Sequence, residues 1–212
     1  MKNLVNTLLI LIIFSIFTCY ANIKSSSSHI EIPKVSQEIS MNIDSTYIII
    51  DSLKASLYNE VSQYIKTYHK TCPDIIPESI IKYGLMHNID ICFMMSQAKI
   101  ETVFGKAGIG RATSKKSIFG VMSKKYKTYD DAISHYVNVL NKYYLSETRT
   151  EQDLLQKFTT KTGVRYAANP NYEKDLRSTY KNICNTTLIK ELQDQILFLM
   201  NQLDDTLYAN NQ

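Results

Sequence analysis

The segment Gln97-Ala98-Lys99-Ile100-Glu101-Thr102-Val103-Phe104-Gly105 holds the residues best suited to chemistry. Gln97 and Glu101 are four apart, so on a helix both project from one face. Glu101 closes an apolar stretch and precedes a glycine-rich one, which puts a carboxylate at a junction of core and cleft. Partial burial there raises a carboxyl pKa, and a carboxyl that keeps its proton near neutral pH can give it to a leaving oxygen as a general acid. Other chemistries find no matching pattern. His29, His69, His87 and His135 form no HExxH and no pair at ligand spacing, so no metal site is expected. A Gly-rich phosphate loop and a Gly-x-Ser-x-Gly elbow are both missing from the sequence, so neither nucleotide nor esterase chemistry is expected, and no cofactor.

The elements that must position Glu101 are mostly helices. Apolar residues recur at helical spacing from about Ser45 to Lys70 (Leu53, Leu57, Val61, Tyr64, Ile65, Tyr68), and Thr71-Cys72-Pro73 stops the pattern. Pro77 suits the first turn of a second helix, with Glu78 near the positive end of its dipole. Ile89 to Thr102 reads as a third. Four of the six glycines lie between Gly105 and Gly120, so Phe104 to about Lys127 reads as a loop or hairpin lobe between helices. The lobe carries Lys106, Arg111, Lys115, Lys116, Lys124, Lys125 and Lys127, and no acidic residue falls between Glu101 and Asp130. It is either a solvated basic loop or a cleft wall facing an anionic polymer. Helical spacing returns at Tyr129 to Tyr144, opened by Asp130 and Asp131, and around Glu151 to Thr159. Pro170 between asparagines suits a turn into a helix from Tyr172 to Asn182. From Leu188 to Leu207 apolar residues approximate a heptad seam, which fits either a short coiled coil for self-association or a helix packed on its own domain.

The 212 residues carry 21% charged and 44% hydrophobic side chains, the composition of a chain that buries a core. A net charge of +4 is too small for a dedicated nucleic-acid binder, so nucleic acid is not an expected partner. Lys2, the apolar run Leu8 to Phe17 and the small residues around Ala21 have the order of a secretory signal. Export is therefore expected, with cleavage after Ala21; lipidation at Cys19 and an uncleaved anchor are the alternatives, and the membrane is a partner only through this segment. The division that follows is a signal at 1–21, a flexible tether at 22–49, a domain at 50–186 and a C-terminal helix at 187–212. An oxidising compartment allows one disulfide among Cys72, Cys92 and Cys184, which form no CxxC pair and no zinc pattern. Cys72 and Cys184 flank the domain and are candidates for it, whereas Cys92 in ICFMM reads as a buried small hydrophobe.

Four motifs in order resemble the glucosaminidase family, glycoside hydrolase family 73. Gln97, Ala98, Glu101, Thr102, Phe104 and Gly105 fit its Gln-Ala-x-x-Glu-(Ser/Thr)-x-(Trp/Phe)-Gly helix. Lys116-Ser117-Ile118-Phe119-Gly120-Val121 matches Asn-Asn-x-Phe-Gly-(Ile/Val). An aromatic-rich stretch follows at Tyr126-Lys127-Thr128-Tyr129-Asp130-Asp131-Ala132-Ile133, and Tyr166-Ala167-Ala168-Asn169-Pro170-Asn171-Tyr172 matches Tyr-Ala-x-Asp-Pro-x-Tyr. The resemblance spans about Ile76 to Tyr180. The departures are Lys116 and Ser117 for the paired asparagines, Phe104 for the usual tryptophan and Asn169 for the Asp before proline.

The resemblance implies a mainly α (α+β), lysozyme-like fold with a small β-hairpin or loop lobe after the catalytic helix. It also implies hydrolysis of the peptidoglycan glycan strand after N-acetylglucosamine, with Glu101 as the acid and Tyr166 beside it. Gln97, Phe104, Phe119, Tyr126, Tyr129 and Asn169 become candidates for contact with the sugar. Some family members place a second carboxylate in the lobe, and this sequence has none there. Asp130 and Asp131 are the nearest candidates, although both suit the cap of the next helix; the 2-acetamido oxygen of the sugar can also serve as nucleophile. A lytic transglycosylase and a wall-binding or assembly protein without turnover are the alternatives.

Overall fold

Asp90 starts the helix around which the rest is arranged. In the computed structural model, which describes residues 32–107, 116–120 and 125–210, its carboxylate accepts the Phe93 amide at 3.2 Å and caps a helix over Ile91–Thr102. The chain divides into two units, Met1–Asp44 and Ser45–Gln212. The first contributes the opening residues of α1 (Ile32–Tyr68) to the description. In the second follow α2 (Ile75–Met86), α3 (Ile91–Thr102), α4 (Tyr129–Tyr143), α5 (Glu151–Gln156), α6 (Tyr172–Thr186) and α7 (Ile189–Asn210). The mainly α architecture is the one expected of a lysozyme-like fold. Among the described residues β pairing is limited to two isolated bridges, Ser146 with Arg149 and Thr159 with Arg165. The expected hairpin lobe falls largely on residues 108–115 and 121–124, outside the described residues, as do residues 1–21 and the first part of the tether.

The helix expected from Ser45 begins at Ile32 instead, so residues 32–49 are helical rather than a flexible tether. Two signals in the sequence account for it. Pro33 sits in the first turn, where its missing N–H costs nothing, and Val35, Ile39, Ile43, Tyr47 and Ile50 continue the helical spacing toward the N-terminus.

Residues Ile91 to Ala98 of α3 are buried on every side, which is the position of a central helix. The stripe Leu53, Leu57, Val61 and Ile65 of α1 is buried, as are Ile76 and Ile80 of α2. Where α2 meets α3 the approach is so close that a Cβ on Gly84 would stand 2.5 Å from Ile91 Cγ1, so glycine is required there. Helix α4 starts with a reciprocal cap: Asp131 N donates to Thr128 Oγ1 at 3.0 Å and Thr128 N donates to Asp131 Oδ2 at 3.1 Å.

The C-terminal helix packs on its own domain. Ile189, Ile196 and Leu203, seven apart, are buried, and the Gln193 amide between them accepts from Ile91 N at 2.9 Å and donates to Ile89 O at 2.7 Å. Of the apolar seam, Ile196 and Leu203 are thus turned into the domain, while Leu188 is exposed, Leu192 and Leu199 are half-buried, and Phe198 and Tyr208 beside them are exposed. Among the described residues no helix is long and apolar enough to cross a membrane.

Candidate active site

Glu101 lies in the last turn of α3, half-buried, where helix and lobe meet. The helix ends one residue later in an uncommon way: Val103 (φ 51°), Phe104 (φ 56°) and Gly105 (φ 84°) are all left-handed in succession. Two of these are not glycine, and such a backbone persists only where its surroundings hold it. Thr102 does much of the holding, accepting from Gly105 N at 2.8 Å and donating to Ile118 O at 2.7 Å. The second of those bonds fastens residues 116–120 beside the end of α3.

That segment brings Gly120 against the acid. A Cβ at Gly120 would stand 2.5 Å from Glu101 Oε2, and its φ of 64° disfavours any other residue independently. The other carboxylate oxygen is occupied. Tyr172 Oη donates to Glu101 Oε1 at 2.8 Å, Gln97 Nε2 donates to Tyr172 Oη at 3.2 Å, and Tyr136 Oη donates to Gln97 Oε1. The chain of donors Tyr136, Gln97, Tyr172 therefore ends on one oxygen of Glu101 and leaves the other along Gly120. Tyr166, stacked on Phe158 at 4.3 Å between ring centres, has two acceptors in reach, the Phe119 carbonyl at 3.3 Å and the Glu101 carboxylate.

Burial raises the Glu101 pKa above the ordinary carboxylate value, and the hydrogen bonds from Tyr172 and Tyr166 pull against it without cancelling it. Both tyrosines are pushed upward, first by burial and then by the neighbouring acidic groups, so both remain neutral donors. The surroundings thus shift Glu101 toward its protonated form, the direction that general acid catalysis needs.

The two candidate partner carboxylates are committed elsewhere. Asp130 accepts from Ser79 Oγ at 2.8 Å and Tyr83 Oη at 2.9 Å and pairs with Lys82 at 3.4 Å, while Asp131 is tied up in the α4 cap. Among the described residues no group of three or more His, Cys, Asp or Glu could hold a metal ion.

Of the residues singled out from sequence, Glu101 and Tyr166 come together and the others divide. Gln97 is fully buried, with its amide nitrogen on Tyr172 Oη. Phe104 is buried against Tyr64 and Tyr68 at 6.4 Å each, and Phe119 is stacked on Tyr136 at 3.6 Å; both belong to the core. The left-handed backbone at Phe104 turns its ring inward, and the stack on Tyr136 does the same for Phe119. Asn169 is exposed, but its side chain accepts from Asn171 N at 3.0 Å and so shapes the turn into α6. Tyr129 is half-buried near Gly105, and Tyr126 is half-buried beside His135 at 5.7 Å. Of the basic lobe, Lys106 bonds Tyr68 O at 3.0 Å and Lys116 bonds Lys127 O at 2.5 Å, whereas Arg111, Lys115 and Lys124 lie outside the described residues. Sequence reasoning passed over Tyr172 and Gly120 as site residues. Both lie inside the quoted motifs, Tyr172 as the last residue of one and Gly120 as the last but one of the other, which was the available signal.

The motifs around Glu101 have a counterpart beyond this chain. The model of the family described as glucosaminidase, mannosyl-glycoprotein endo-beta-N-acetylglucosaminidase, matches residues 77–185. The chain belongs to the glucosaminidase family. Comparison with curated proteins and with solved structures found no match. Membership makes the domain one of a family of glycan-cleaving hydrolases. Every residue of the acid's surroundings named above, from Gln97 to Tyr172, falls inside the matched segment. A cleft of about 750 Å³ elsewhere in this glucosaminidase-family domain is lined by His87, Asn141, Arg149, Glu151 and Lys161 among others and includes none of the Glu101 surroundings. Arg149 and Lys161 already bond Thr159 Oγ1 and Asn141 O, both at 2.9 Å, so the cations of that cleft serve the local fold.

Proposed function

We propose that the domain hydrolyses the β-1,4 bond that follows N-acetylglucosamine in peptidoglycan strands, with Glu101 as general acid. The observation that carries this reading is the state of the Glu101 carboxyl: burial raises its pKa, Tyr172 occupies Oε1, and Oε2 faces the Gly120 side. The proton then resides on Oε2 and passes to the glycosidic oxygen as that bond breaks. As Glu101 becomes an anion, the Tyr172 bond becomes charge-assisted and strengthens, so the chain of donors supports the transition state more than the resting state. With Asp130 and Asp131 committed elsewhere, the nucleophile that best suits this site is the substrate's own 2-acetamido oxygen, and Glu101 then activates the water that completes hydrolysis. On the same reading residues 1–21 export the chain, and the glycan strand of the cell wall is its partner.

The test is incubation of the purified protein and of Glu101→Gln with purified peptidoglycan, followed by borohydride reduction and mass spectrometry of the soluble fragments. New reducing-end N-acetylglucosamine from the wild type alone is the expected result. An anhydromuramic end would assign a lytic transglycosylase instead, the second reading that a single committed carboxylate keeps in play. Sedimentation with the wall and no fragments would identify a binding protein.

A further inference from the structure

Helices α3 and α6 touch at both ends, in opposite sequence order. At one end Tyr172, the first residue of α6, bonds Glu101 in the last turn of α3. At the other, Tyr180 Oη donates to Oδ2 of Asp90, the α3 cap, at 2.8 Å, and the side chains of Cys92 and Cys184 interact. The two helices are therefore antiparallel, and one cysteine of each faces the other across their contact. Cys72, the partner that the sequence suggests for Cys184, is buried with its Sγ directed at Pro73 O at 3.7 Å. Neither Cys92 nor Cys184 takes part in the chemistry proposed for Glu101.

We infer that Cys92 and Cys184 are a disulfide-forming pair that cross-links α3 to α6 at the end opposite Glu101. Their exposure sets the order of events. Cys92 is fully buried, while Cys184 is half-exposed and is the thiol that an oxidant can reach. The Cys92 thiol holds the Cys184 pKa below the ordinary thiol value, with the Tyr180 hydroxyl adding to it, whereas the same thiol contact and then burial push Cys92 up. The Cys184 thiolate attacks one sulfur of an oxidant of the disulfide class, releasing its first thiol and forming a mixed disulfide. Cys92 loses its proton, attacks the Cys184 sulfur and releases the second thiol. Two protein thiols become one disulfide, and the oxidant's disulfide becomes two thiols. The product closes a long loop between two helices already packed together, so it restricts the unfolded chain with little cost to the folded one.

The test treats the full, reduced chain with oxidised glutathione, blocks residual thiols and maps a non-reduced digest by mass spectrometry. A peptide joining Cys92 to Cys184, with Cys72 free, is expected, together with a rise in Tm of about 10 °C that reductant reverses. Cys72→Ser should keep both results and Cys184→Ser should lose both. A folded chain whose Cys92 and Cys184 stay reduced, or a linkage that uses Cys72 or Cys19, would overturn the inference. Each readout is independent of glycan turnover.

Discussion

Glu101 and Asp130 are both carboxylates at helix ends beside tyrosines, yet their surroundings push them in opposite directions. Around Glu101 burial dominates and two tyrosine hydroxyls only partly offset it, so its pKa lies above the ordinary value. Around Asp130 burial also pulls upward, but the bonds from Ser79 and Tyr83 and the Lys82 ammonium outweigh it and hold the carboxylate ionised. The difference lies in the neighbours: a cation and a serine at the start of α4, neutral donors and a glycine at the end of α3. A residue type alone does not specify an acid catalyst; the balance of desolvation against countercharge does.

The widest separation between the two should appear in turnover. Glu101→Gln should lower kcat on peptidoglycan by about 10²- to 10⁴-fold, whereas Asp130→Asn should leave kcat within a few-fold. Equal losses in two folded variants would erase the distinction. Next in size is Gly120→Ala, whose Cβ must displace the acid; kcat/KM should fall by about 10- to 100-fold. Gly163→Ala is its control, because φ there is 87° but open space surrounds the new methyl, so only stability should drop, by about 1 kcal/mol in urea melts.

Tyr172→Phe sharpens the comparison through pH. The Tyr172 bond favours the Glu101 anion, so its removal raises the Glu101 pKa further and moves the alkaline limb of kcat/KM to higher pH, while kcat falls several-fold. A limb that shifts downward would contradict the assigned sign. For Asp130 the linkage runs the other way. Its folded pKa lies below the unfolded value, so its contribution to stability is present above the unfolded pKa and is lost as pH falls through the folded one. Asp130→Asn should therefore cost about 1 kcal/mol at pH 7 and nothing in strong acid, as measured by denaturant melts across pH. The smallest effect concerns Lys116, held at φ 47° where the resemblance puts an asparagine. Lys116→Asn should stabilise by a few tenths of a kcal/mol, since Asn tolerates that region better.

The helices and the location of the acid were legible because periodicity, caps and turn residues are local signals. Thr128 and Asp131, three apart, mark a helix start without any knowledge of what packs there. Burial is not local in this sense. Gln97 shares a face with Glu101 on α3, but only the arrival of Tyr136 and Tyr172 from other helices shows that the amide is enclosed. Phe104 and Phe119 are candidates for sugar contact through the motifs they match, whereas contact with distant tyrosines encloses both rings in the core. The start of α1 was missed because a serine run and a proline outweighed a sparse apolar repeat. The facing of Cys184 toward Cys92 depends on antiparallel packing of α3 and α6, which spacing along the chain does not encode.

Catalysis by Glu101 depends on its surroundings raising its pKa above that of an ordinary carboxylate. The direct test is an NMR titration of the folded protein with ¹³C-labelled carboxyl groups, using Glu101→Gln and Asp130→Asn to assign the two resonances. The account predicts a Glu101 midpoint above the ordinary glutamate value of about 4.3 and an Asp130 midpoint below the ordinary aspartate value of about 3.9. A Glu101 midpoint at or below 4.3 would contradict it.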